Sequence, residues 1–250
     1  MLLSVESEPL AAGTPFPARV TFRALDEIAR DAPVDYHLHT HWTDGTASAH
    51  AMAVTAQARG IRAILFSEHI RHTSDFFPAF QAQARALEIK GVTIFVGVES
   101  KTLDHDGTLD LTLEVAKLCD ALVASVHSPP AYVKGASSWS NYNAAEAVQL
   151  EFELAMGIVT RSRAHILAHP MGMSIARFGA RPIHELRALA RACAEYDKVF
   201  ELNPRYCADV PAWLEIVTMA HCKISFGSDA HRADDVGKAW EVFAQTQRRA

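Results

Sequence analysis

An alternation constrains this chain more than any other feature. From Val34 onward, short runs of apolar and β-branched residues take turns with Ala- and Leu-rich stretches of helical length. VDYHLH leads to a stretch at 47–59, AILFSEH to 78–89, TIFVGVE to about 109–118, and ALVASVH to 142–160. HILAHP then leads to 182–196, VFELN to 210–221, and KISFGSD to 234–247. The short runs read as strands buried on both faces, as in a parallel sheet covered by helices. Seven such units with no obvious break predict an α/β fold of one domain, a distorted (β/α)7 barrel of TIM-like type over residues 33–250. An open doubly wound sheet is the competing arrangement. It usually carries a Gly-rich phosphate loop after its first strand, and DYHLHTHWTDG is not one. Residues 1–32 read as an irregular lead-in in which Thr21 caps a short helix through Arg30.

Charge and cysteine content narrow the function classes. The net charge is −5, and no run of Lys and Arg is interleaved with aromatic residues, so a long nucleic acid is not the expected partner. The four cysteines are widely spaced without a CxxC pair, which predicts reduced thiols. MLLSVESEPLAAG has no basic start of the kind a secretory signal needs, and apolar runs such as Val92 to Val98 are too short to cross a bilayer. A cytoplasmic protein with no membrane anchor is expected.

The chemistry is concentrated where the predicted strands stop: His37 and His39, His69, Glu99, His127, His169, Asn203, and Asp229 with His231. In a βα barrel the C-terminal strand ends converge on one rim, where active sites are built. Imidazole and carboxylate are ligand types of zinc, manganese and iron, and a His-x-His pair on a strand points both rings to one face because the strand period is two. Asp229 and His231 repeat that spacing on the last strand. Neither a GxSxG nucleophile motif nor a catalytic cysteine context is present.

HLHTHWTDG at 37–45, SEH at 67–69, GVES at 97–100, SVH at 125–127, AHP at 168–170 and GSDAH at 227–231 resemble, in order, the motifs of the polymerase and histidinol phosphatase (PHP) family. The resemblance implies a seven-fold barrel with up to three divalent ions. Carried over residue by residue, His37, His39, Glu99 and Asp229 would hold a first ion; Glu99 would bridge to a second completed by His127 and His169. Asp44, His69 and His231 would hold a third. Glu99, Asp229 and His231 are thus the expected catalytic residues. The ions would be zinc, manganese or iron, and three of them outweigh three carboxylates by about +3, which suits an anionic substrate and a metal-activated hydroxide.

Arg177, in SIARFG, and Arg205, in ELNPRY, follow the fifth and sixth strands and resemble arginines that contact phosphate in the histidinol phosphatase branch. Arg71 and Lys101 also follow strand ends, with a lesser role expected. The segment 128–143 reads as a lid at the barrel mouth or as an ordinary connection. Among the histidines outside the pattern, His72 lies in the loop after strand two. The function expected first is hydrolysis of a small phosphomonoester, as in stand-alone histidinol phosphatases, although HPMGM replaces the apolar residue and acid more often found there. A phosphodiesterase or 3'-5' exonuclease acting on short nucleic acids or nucleotides would use the same metals. A metal-binding scaffold without catalysis is the third reading, and the full ligand set speaks against it.

Overall fold

The structure is a computed structural model that describes residues 8–28, 32–133, 138–207 and 209–249. Seven parallel strands follow the alternation in the sequence: β2 (Val34–Leu38), β3 (Ala63–Ile70), β4 (Thr93–Lys101), β5 (Leu122–Ser125), β6 (Ile166–Leu167), β7 (Val199–Leu202) and β8 (Lys223–Phe226). They pair in sequence order, and a two-residue strand, β1 (Arg23–Ala24), adds antiparallel to β8. At the rim, the His39 N–H donates to the Ala230 carbonyl (2.9 Å) and the Ala230 N–H donates to the His37 carbonyl (3.2 Å). Those two bonds join the end of β2 to the segment after β8, so the parallel run meets its own start.

The helices are α1 (Ala49–Ala58), α2 (Phe77–Arg85), α3 (Leu113–Leu118), α4 (Ala144–Arg161), α5 (Gly172–Phe178), α6 (Ile183–Glu195), α7 (Val210–Ala220) and α8 (Lys238–Arg249). Starts are set by local chemistry, as in α4, where Asn143 and Glu146 form a reciprocal capping box. Outward-facing strand residues such as Ile64, Phe66, Val96 and Phe200 pack with the buried faces of the helices in one continuous core. A smaller cluster, including Tyr36, Leu65, Val123, Ile166 and Val199, fills the inside. Polar residues follow along the same inward-facing rows, so the interior passes from hydrocarbon to ligand-type groups within about 7 Å, two residues of strand rise.

Two expectations need correction. The lead-in does not hold a helix running from Thr21: Arg23 and Ala24 pair with Ile224 and Lys223, and one 3-10 turn follows at Leu25–Glu27. Hydrogen bonding to the free edge of β8 outcompetes the weak local helix signal; residues 29–31 lie outside the described residues. The second correction is α5, which the sequence reading passes over as a loop. Its start is capped from a distance: the buried Glu151 of α4 accepts hydrogen bonds from the Met173 and Ser174 N–H groups (2.9 and 2.7 Å) and from the Ser174 hydroxyl. No residue near Gly172 announces that cap.

The 128–143 connection is anchored rather than free over its described part. Trp139 and Tyr142 are buried, and the Trp139 indole N–H donates to the His127 carbonyl (2.9 Å). Lys134 to Ser137 lie outside the described residues. Among the described residues, no helix is long and apolar enough to cross a membrane.

Candidate metal centre

All nine ligand-type residues singled out in the sequence meet at the C-terminal rim, and Glu99 is their hub. Its two oxygens face different partners. Oε1 lies 3.1 Å from His127 Nε2 and 3.0 Å from His169 Nε2. Oε2 lies 3.3 Å from His37 Nε2, 3.5 Å from His39 Nε2 and 3.1 Å from His69 Nδ1. Asp229 Oδ1 approaches His39 Nε2 (3.3 Å) and His37 Nε2 (3.8 Å) from the other side. Farther out, Asp44 Oδ2 sits 3.2 Å from His231 Nε2 and 3.5 Å from His69 Nε2.

Three overlapping groups have donor atoms close enough to share an ion: His37, His39 and Glu99; His69, Glu99 and His127; and His39, Asp44, His69 and His231. His69 and His39 each stand between two groups, a sharing that the sequence motifs do not reveal. The cluster passes a chemical test for cations. His37 Nε2, both ring nitrogens of His39 and Glu99 Oε2 are buried and have no hydrogen-bond partner. Several buried polar atoms aimed at one point without partners are costly unless a cation takes up their lone pairs.

Backbone and surrounding acids fix these donors. His169 and Asp229 both have positive φ (28° and 49°), bends that turn their side chains inward just past β6 and β8. Glu201, fully buried on β7, accepts from His37 Nδ1 (2.7 Å) and from the His169 backbone N–H (2.6 Å). Nδ1 is thereby directed at Glu201, and Nε2 points into the cluster, where it could ligate a metal. Likewise His231 Nδ1 bonds the Asp229 carbonyl (2.9 Å), leaving Nε2 toward Asp44. Glu68 accepts from the Thr40 N–H (2.8 Å) and the Thr43 hydroxyl (2.5 Å), which sets the turn carrying Asp44. Sequence reasoning missed Glu201 and Glu68. The available signal was an acid inside an otherwise apolar strand.

Electrostatics show how strongly the cluster attracts positive charge. Burial acts to lower the His37 pKa, yet the Glu201 and Glu99 carboxylates hold it well above the ordinary histidine value. His69, despite burial, is raised to about 10 by Asp44 and Glu99. His39 is pushed down to about 3, chiefly by burial. Burial would raise the Glu99 carboxyl; His127 and His37 hold it well below its usual range.

Two cavities adjoin the cluster. One, of about 470 Å³, opens over His69, Glu99 and His127 and is also lined by Arg71, Lys101 and Asp110. The other, of about 390 Å³, runs from His169, Asn203 and Tyr206 between α6 and α7 to Leu186, Trp213 and Ile216. Arg205 reaches the centre, with Nη1 3.5 Å from Asp229 Oδ2, while its guanidinium lies over the Tyr206 ring. Arg177 is exposed on the last turn of α5 and lines neither cavity; Arg181 lines the second instead. His72 is held outside the ligand set by Asp110, which bonds both its backbone N–H (3.0 Å) and its ring (2.6 Å).

Gly227 sits where β8 passes the Glu201–His37 pair. A Cβ there would come within 2.0 Å of Glu201 Oε1 and 2.7 Å of His37 Cβ. Gly227→Ala is therefore expected to displace the His37 support. Metal affinity should fall and the melting temperature drop together; normal values for both would show that the strand shifts without cost.

The comparisons with known proteins agree with this geometry. The PHP domain model matches residues 35–205. A probable phosphatase of Pectobacterium atrosepticum is 26% identical over 217 residues, covering 82% of this chain and 81% of that protein. The DNA polymerase/3'-5' exonuclease PolX of Bacillus subtilis is 27% identical over 194 residues, which are 74% of this chain but 30% of that protein. Among solved structures, histidinol phosphate phosphatase from Lactococcus lactis, in complex with zinc, L-histidinol and phosphate, superposes with a TM-score of 0.62 at 18% identity, covering 86% of this chain and 93% of that one. With the family model spanning more than half of the chain and the motif histidines and acids gathered at one rim, the chain belongs to the PHP domain family and is a metal-dependent phosphoesterase.

Proposed function

We propose that the protein hydrolyses a small phosphomonoester, with two or three divalent ions held by the nine clustered residues. The observation that carries this reading is the pair of Glu99 oxygens facing two separate sets of imidazoles, together with the unpartnered buried nitrogens around them. His37, His39, Glu99 and Asp229 would hold one ion, Glu99, His127 and His169 a second, and Asp44, His69 and His231 a third, with His39 and His69 at the boundaries. When bound, such ions supply a nucleophile by lowering the pKa of water toward neutrality, and they neutralise the phosphate's charge.

The chain's own groups do the positioning. Glu201 directs His37 Nδ1 toward itself and so turns Nε2 into the cluster. Asp229 and Glu99 supply the negative charge that would hold divalent ions at the cluster. Arg205, beside Asp229 and braced on Tyr206, is placed to read a phosphate oxygen through its planar fork. Arg177 would require α5 or its side chain to turn inward, so Arg205 is the favoured phosphate reader. Counting Glu201, four carboxylates against three divalent ions leave about +2, enough to draw a dianionic monoester. The similarity to probable phosphatases along most of their length also favours a monoester, whereas the PolX match covers a minor part of that protein.

The test is hydrolysis of p-nitrophenyl phosphate against bis-(p-nitrophenyl) phosphate, with elemental analysis of the same preparation. At least two ions per chain and a clear preference for the monoester are expected. Less than one ion per chain after reconstitution with zinc, manganese or iron would overturn the metal centre. A preference for the diester or for a short oligonucleotide would replace the phosphatase with a diesterase.

A further inference from the structure

The cavity above Glu99 repeats, one strand period farther out, the pairing that forms the metal centre. His69 of β3 and Glu99 of β4 are register partners, as are Ile70 and Ser100 one residue on. The next residues are Arg71 and Lys101. Because side chains return to the same face every second residue, this cation pair follows the ligand pair on the inward-facing rows, about 7 Å beyond it. Both residues line the cavity of about 470 Å³ that holds His69, Glu99 and His127 at its floor.

Asp110 supports this outer layer. It is buried, and its Oδ2 lies 3.7 Å from Lys101 Nζ while its Oδ1 is occupied by His72. Arg71 also lines the cavity, so its outer layer, beyond Glu99, carries two permanent cations against the single carboxylate of Asp110. Ser74, which also lines the cavity, accepts a hydrogen bond from the Arg71 backbone N–H (3.1 Å) and closes the turn that carries Arg71. The opposite cavity, past His169 and Tyr206, is lined mainly by hydrocarbon and carries no comparable cation pair.

From this layering we infer that the substrate is a phosphomonoester whose alcohol carries a second acidic group, a carboxylate or a second phosphate, read by Lys101 and Arg71. The inference rests on the proposed phosphatase reading and specifies its substrate class. The scissile phosphate lies on the metal centre, and the second anion lies about one strand repeat above it, between the two cations. Lys101 and Arg71 determine specificity and take no part in bond breaking.

Matched substrates test this. 3-Phosphoglycerate and glycerol 1-phosphate differ by a carboxylate against a hydroxymethyl group; glucose 1,6-bisphosphate and glucose 6-phosphate differ by a phosphate. The metal-loaded protein is expected to prefer the more acidic member of at least one pair in kcat/KM, and the pair preferred identifies the kind of anion. Lys101→Gln and Arg71→Gln should each reduce that preference ratio by about ten- to a hundredfold through KM, the size of one lost charge-assisted hydrogen bond. Lys101→Arg should restore part of it. If the wild type shows no preference in either pair, or if the substitutions lower both members alike and leave the ratio unchanged, the cations do not read a second anion and the inference fails. Active p-nitrophenyl phosphate hydrolysis beside such a result would leave the phosphatase reading standing; no hydrolysis of any monoester would overturn both.

Discussion

Glu99→Gln is expected to lower phosphomonoester hydrolysis by several orders of magnitude in a protein that remains folded. The substitution keeps the side chain's volume in a position that is 2% exposed, so packing around it is preserved. It removes the charge that both sides of the cluster share. In the native site, Oε1 faces His127 and His169 while Oε2 faces His37, His39 and His69. An amide offers one acceptor oxygen, and its NH2 group would face imidazole nitrogens that need a cation. Two divalent ions near a neutral bridge repel each other more strongly, and the acidity they confer on water falls. Steady-state kinetics with elemental analysis and thermal melting decide the matter. Wild-type turnover under saturating metal would remove Glu99 from the bridging role, whereas loss of folding would make it a structural acid.

The reason this hub was legible in the sequence is that barrels convert sequence position into spatial convergence. His37, His69, Glu99, His127, His169 and Asp229 are far apart along the chain, yet each closes a strand run, and the rim is where such positions meet. Asp44 was legible only through the HLHTHWTDG motif, since nothing in strand periodicity brings a loop residue to His231. Its placement depends on Glu68, which ties down the turn through Thr40 and Thr43. The acids that act at second hand were harder to find. Glu201, Glu68 and Glu151 sit inside apolar elements and take backbone or ring N–H donors from segments remote in sequence. Their partners are fixed by tertiary packing, so composition and spacing carry no record of them.

The same division explains the arginines. Arg177 and Arg205 both follow strand ends, and a reading by strand position cannot rank them. The difference arises from α5: its remote cap by Glu151 makes a helix of what reads as a loop, and Arg177 is left on an exposed turn. Arg205 remains in a turn directly after β7, beside Asp229. Trp139, in the 128–143 segment that reads equally as a lid or an ordinary connection, donates to the His127 carbonyl, a tie that strand position does not announce.

Glu201→Gln tests whether this hidden layer controls the metal centre, and its expected effect is a loss of metal affinity of about ten- to a hundredfold, as for other carboxylates that orient ligating histidines. The native carboxylate accepts two short hydrogen bonds, from His37 Nδ1 at 2.7 Å and from the His169 N–H at 2.6 Å, and a longer one from Asn203 Nδ2 at 3.4 Å, with all three partners buried. Gln has a single acceptor oxygen, so one donor is left facing an NH2 group. The unmet buried donor costs about 1–3 kcal/mol of stability. A second effect acts on the chemistry. Without the adjacent negative charge, the His37 ring is a weaker base, and its proton is free to move from Nδ1 to Nε2, the nitrogen needed in the cluster. Metal titration of chelator-treated protein, followed by elemental analysis, should show weakened binding, and kcat should recover toward wild type once metal is supplied in large excess. Melting the metal-free protein separates the two contributions, because only the packing penalty persists there. If Glu201→Gln lowers the metal-free melting temperature while leaving metal affinity intact, Glu201 supports the fold alone. If both fall, with activity restored by excess metal, the buried acid on β7 sets the nitrogen that His37 presents and thereby the occupancy of the site.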